Sequence, residues 1–239
     1  FAAEDGTALA GWYTRSMNGA TVIVLAGAGG TRADVSGQAE VLTRNGFGVL
    51  ALDSRGSGES GGHGMLYGWG GERDLSAAVA YLTSRGDVDA GRIGVLGLSM
   101  GGEVAITGAA LDTRVRAVVA EGATARVCAD QTFLSTDYDG AIHHFDSCLG
   151  WAIASLMTAA PQPSPLVDEV RLLGSRPLLL IAADRPDERA ATSALQAISP
   201  TTVQLWQPAG ASHTGALATD PQEWEARVVG FLEEALFGT

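Results

Sequence analysis

Six short runs of Val, Ile, Leu and Ala, spaced by longer segments of helical periodicity, constrain this 239-residue chain more than any other feature. The runs are TVIVLA (21–26), FGVLALD (47–53), RIGVLGLS (92–99), VRAVVAEG (115–122), PLLLIAA (177–183) and TVQLWQ (202–207). Most are apolar almost throughout, the pattern of strands covered on both faces. Helical patterns lie between them at 33–44, 69–84, 99–110, 187–198 and 222–236. Leu75, Val79 and Leu82, for example, fall on one face. Strand–helix alternation of this kind predicts an α/β fold with a doubly wound, mostly parallel sheet. AEDGTALAGWY (3–13) reads differently, as an Asp-Gly turn between two extended arms at the sheet edge.

One segment breaks the rhythm. Residues 123–176 hold no clear strand, both cysteines, the pair His143 and His144, and APQPSPL. We read them as a cap or lid inserted in a single domain spanning 1–239, with a helix at 148–158. Cys128 and Cys148 are too few for a disulfide-stapled fold. They read first as two small buried thiols, the alternative being one bridge closing the segment in an oxidising compartment.

Composition narrows the function. Hydrophobic residues make up 46% of the chain and charged residues 18%, enough core for a folded domain. The net charge of −12 and the lack of any basic cluster disfavour nucleic acid and anionic membranes as partners. No apolar stretch approaches the roughly 20 residues that span a bilayer. The chain begins at Phe1 rather than Met. That leaves the compartment open between cytoplasm and export after removal of a leader or anchor.

Gly97-Leu98-Ser99-Met100-Gly101 fits G-x-S-x-G where a buried strand passes into a helical pattern. Such a turn is tight, and Gly97 and Gly101 let strand and helix approach around Ser99. The alternative role for Ser99 is an ordinary helix N-cap. A serine nucleophile needs a base, and His213 in PAGASHTGAL arrives after the last strand. The other histidines read as a loop residue (His63) and solvated residues (His143, His144) rather than metal ligands. An acid is expected after PLLLIAA, in DRPDER. Asp184 is the first choice, Asp187 the alternate, and Glu121 a third candidate. Oxyanion donors are expected from the backbone N–H of Met100 and of Ala28, in the glycine-rich loop GAGGTRAD (27–34). That loop lacks the GK[ST] of a phosphate-binding P-loop. SRGSGESGGHG (54–64) reads as a flexible loop near the site. Met65, Tyr67, Trp69, Phe133, Tyr138 and Trp151 are candidates to line it.

With these motifs in place the chain resembles the α/β-hydrolase superfamily, in its dienelactone-hydrolase-like or small serine-esterase branch. The resemblance implies an eight-stranded sheet, with the cap between strands 6 and 7, and acyl-enzyme hydrolysis without a cofactor or metal. It implies Ser99 as nucleophile, His213 as base and Met100 as an oxyanion donor. Two departures stand out: Ala26-Gly27 replaces the His-Gly of many relatives, and the acid loop is short. A dienelactone hydrolase proper carries Cys as nucleophile, so Ser99 favours a small-molecule ester. The competing functions are a thioesterase or peptidase on the same triad, a non-hydrolytic cyclase or lyase, and a binding protein that kept the fold.

Overall fold

The computed structural model describes residues 1–133 and 138–238, with the side chains of 132–144 outside the description. Its strands are β1 (Gly11–Thr14), β2 (Thr21–Leu25), β3 (Gly48–Leu52), β4 (Ile93–Leu98), β5 (Val115–Glu121), β6 (Leu178–Ile181) and β7 (Val203–Trp206). The helices are α1 (Ser36–Arg44), α2 (Gly71–Thr83), α3 (Met100–Leu111), α4 (Tyr138–Met157), α5 (Leu166–Leu173), α6 (Pro186–Ile198), α7 (Ala216–Thr219) and α8 (Pro221–Phe237). All six apolar runs form strands, and all five helical patterns form helices.

The strands make one sheet in the order β1-β3-β2-β4-β5-β6-β7. Only β1 runs antiparallel, against β3. Every residue of β2, β3, β4 and β6 is buried, which explains their unbroken apolar character. Alternate residues feed two cores. Ile23, Leu25 and Val95 join α2, α3 and α5 on one face, and Val22, Val24 and Leu96 join α1 and α8 on the other. Helix α8 opens with Pro221, while the Asp220 side chain accepts the Glu223 N–H at 3.1 Å. It then buries Trp224, Val228 and Phe231.

Three expectations change here. The sheet has seven strands among the described residues, not eight. The N-terminal arm folds around Gly6, but its two sides meet in the single bridge Ala2–Ala8. The Ala8 carbonyl instead accepts the Gly61 N–H, and the Ala10 N–H is given to Ser60 Oγ. An arm committed to that loop has too few free backbone groups left to build a ladder. The cysteines also form a bridge rather than two buried thiols, joining Cys128 to Cys148 of α4.

The 123–176 segment leaves the sheet after β5 and returns before β6. Its parts differ in packing. Helix α5 buries Leu166, Val170 and Leu173 in the main core. In α4, Trp151 and Ala154 pack with Trp69 and Val127 in a small separate cluster, while Phe145, Leu149, Ile153 and Leu156 are exposed. Phe133, Tyr138, His143 and His144 lie outside the described side chains.

Candidate active site

The parallel strands end along one edge, and the candidate residues gather there. Ser99 follows β4 directly and precedes the first residue of α3. Its backbone sits at φ 52°, ψ −123°, outside the conformations a non-glycine residue ordinarily adopts. Close backbone approach holds it there. A methyl group on Gly97 would lie 2.1 Å from Gly101 O, and one on Gly101 would lie 2.4 Å from Ala26 O. The Ser99 N–H donates to Glu121 O of the neighbouring strand at 2.7 Å. Strain of this kind persists only where surrounding contacts over-determine it.

His213 arrives on the loop between β7 and α7. Its Nε2 lies 2.9 Å from Ser99 Oγ, and its Nδ1 lies 2.6 Å from Glu188 Oε1. The loop fits closely: a methyl group on Gly122, at φ +74°, would stand 2.9 Å from His213 Cε1. Glu188 is buried, and its other oxygen accepts the Ala183 N–H at 2.9 Å.

The carboxylate at the imidazole is therefore Glu188, and neither Asp184 nor Asp187. The reason is helical phase. Pro186 starts α6, so residue 188 turns inward with Ala191, Thr192 and Leu195. The two aspartates face outward. Asp187 pairs with Arg185 at 3.0 Å. Asp184 accepts the Gly210 N–H at 2.8 Å and pairs with Arg189, so it anchors the loop that carries His213. Glu121 is also occupied elsewhere, accepting from the Ala216 N–H and Trp224 Nε1. A sequence signal for Glu188 existed: it lies three and seven residues before Ala191 and Leu195, on the buried stripe of a helix.

The electrostatics couple the pair. Burial alone would raise the Glu188 carboxyl, but its bonds to His213 and the Ala183 N–H hold it below the usual glutamate range. The Glu188 partner raises His213 above the ordinary histidine range against the opposing pull of burial. Beneath the serine, in the first turn of α3, Glu103 accepts the N–H groups of Thr124 and Ala125, and burial pushes its carboxyl up to about 7.

The expected oxyanion positions flank Ser99. Met100 is the first residue of α3, where N–H groups have no partner within the helix. Ala28 lies in a turn closed by the Gly30 N–H on Gly27 O at 3.1 Å. A methyl group on Gly27 would be 3.3 Å from Ser99 Cβ, which puts this loop against the serine. The 54–64 loop is pinned rather than free. Asp53 accepts the N–H groups of Arg32 and Glu59, and Asp74 binds the Arg55 backbone and guanidinium. Between the two loops, beside Met100, a cavity of about 200 Å³ opens. Of the residues singled out as a lining, Met65 borders it, while Trp69 and Trp151 are core. Among the described residues no group of three His, Cys, Asp or Glu side chains is placed to hold a metal ion, and no helix is long and apolar enough to cross a membrane.

Comparison with known proteins agrees with this architecture. The esterase Pf2001 of Pyrococcus furiosus superposes with a TM-score of 0.79 at 26% identity, over 98% of this chain and 89% of that one. YtaP of Bacillus subtilis is 41% identical over 90 residues, 33% of this chain and 30% of that protein. Rv2307c of Mycobacterium tuberculosis is 36% identical over 106 residues, 43% of this chain and 37% of that protein. The chain thus matches about a third of the length of these two relatives. The family model for serine aminopeptidase, S33, matches residues 17–168. That match spans more than half of the sequence, and the chain belongs to this family of α/β hydrolases.

Proposed function

We propose that the protein is a serine hydrolase of carboxylic esters acting through Ser99, His213 and Glu188. The observation that carries this reading is the unbroken chain of contacts from Ser99 Oγ through the imidazole to a buried carboxylate. Ser99 Oγ attacks the ester carbonyl and gives its proton to His213 Nε2. The carbonyl oxygen becomes an oxyanion, held by the N–H groups of Met100 and Ala28. The intermediate collapses, the C–O bond to the alcohol breaks, and the imidazolium protonates the leaving oxygen. Water, deprotonated by His213, then attacks the acyl-Ser99 ester and releases the acid. Glu188 fixes the tautomer of His213 and stabilises its cationic form. Helix α4 and its flanks serve as a cap over this edge.

The family description names an aminopeptidase, and the lining of the cavity favours esters over that activity. An aminopeptidase must bind a substrate ammonium group. Among the described residues, none bordering the cavity beside Met100 is acidic, and the one charged residue there is the cation Arg55. The test is turnover of p-nitrophenyl esters, acyl thioesters and aminoacyl arylamides side by side, in wild type and Ser99→Ala. Esters are expected to have the highest kcat/KM, with the activity lost in Ser99→Ala. Arylamide turnover above ester turnover would overturn the assignment, as would ester turnover that survives in Ser99→Ala.

A further inference from the structure

We propose that Met65 is the partition that limits the acyl group this site accepts to about six chain atoms, an inference that rests on the ester reading above. The sheet order supplies the direction. The loops after β2 and β3 lie on one side of Ser99, while Glu188 and His213, after β6 and β7, lie on the other. The leaving alcohol takes its proton from His213 and so departs toward β6 and β7. The acyl chain extends the opposite way, into the cavity between Gly27, Gly30, Ser54, Ser57, Met65 and Met100.

That cavity measures about 200 Å³. It holds about six or seven chain atoms at roughly 30 Å³ each, the space one water takes in the liquid. Its floor cannot recede easily. A methyl group on Gly56 would stand 2.2 Å from Gly64 N, so the two arms of the loop already touch. Arg55 is fixed by Asp74 and Asp5.

Behind this floor lies a second cavity, of about 430 Å³, reaching to Met157 and Ala160 at the end of α4. The two cavities share three bordering residues: Arg55, Gly64 and Met65. Arg55 is held by two carboxylates and Gly64 has no side chain to withdraw. Met65 alone among the three can be shortened to join the cavities, or enlarged to fill the first one.

The experiment measures kcat/KM for p-nitrophenyl acetate, butyrate, hexanoate and decanoate, each below its micelle concentration. It uses wild type, Met65→Ala and Met65→Phe, and labelling of Ser99 by a fluorophosphonate is followed in parallel. In wild type, kcat/KM is expected to fall at least about tenfold between hexanoate and decanoate. The decanoate-to-butyrate ratio is expected to rise at least about tenfold in Met65→Ala, and the hexanoate-to-acetate ratio to fall in Met65→Phe. Using ratios within each variant separates selectivity from any loss of folded protein. Wild type favouring decanoate would overturn the inference, as would variants that both keep the wild-type ratios while Ser99 still labels. A wild-type protein that neither labels nor cleaves acetate would overturn the ester reading, and the inference with it.

Discussion

The turn from β4 into α3 and the turn from β6 into α6 each deliver one side chain to the same imidazole, by opposite means. At the first, the backbone decides. Gly97, Gly101 and the carbonyl of Ala26 approach so closely that only one path is open, and that path lifts Ser99 Oγ to the rim of the sheet. At the second, side-chain reach and helical phase decide. Three carboxylates lie within five residues, and the one that turns inward once Pro186 starts the helix is the one that meets His213. A position set by backbone crowding tolerates no alternative. A position set by phase depends on where a helix begins.

Four substitutions test this contrast, in order of expected effect. Ser99→Ala removes the proposed nucleophile from an intact elbow, and kcat for a short ester is expected to fall about 10⁵–10⁶-fold with circular dichroism unchanged. Glu188→Gln keeps shape but removes the charge opposite His213, and a kcat loss of about 10³–10⁴-fold is expected in steady-state assays. Gly97→Ala attacks the backbone itself. Its new methyl group meets Gly101 O at 2.1 Å, and urea unfolding is expected to register a loss on the order of 3 kcal/mol. Asp184→Asn removes only a half-exposed ion pair with Arg189, so less than about fivefold in kcat/KM is expected. An Asp184→Asn loss as large as that of Glu188→Gln would erase the distinction between the two turns.

The pH profile sharpens the same comparison. The proposed mechanism requires neutral His213, and Glu188 raises its pKa by stabilising the imidazolium. Activity therefore falls as pH drops through a value above the ordinary histidine range. In Glu188→Gln that stabilisation is gone, and the acid limb of kcat/KM is expected to move to lower pH. In Asp184→Asn it is expected to stay in place.

The contrast also explains what could be read in advance. The β4–α3 turn was legible because glycines at 97 and 101 around one serine, between a buried run and a helix, allow few other structures. His213 was legible by its place after the final strand. The carboxylate that meets the imidazole was not, because proximity to the strand end favoured Asp184, whereas the buried stripe through Ala191 and Leu195 pointed to Glu188. The eighth strand came from likeness to relatives, and here the Ala8–Ala10 backbone is taken by the 60–61 loop. The Cys128–Cys148 bridge had no local signal beyond the presence of two thiols in one segment.

The most direct test of the account is intact mass after treatment with a fluorophosphonate, with the modified peptide mapped. One adduct per chain is expected, on Ser99, forming far more slowly in Glu188→Gln than in Asp184→Asn. An unmodified wild-type protein, or an adduct that maps elsewhere and persists in Ser99→Ala, would contradict it.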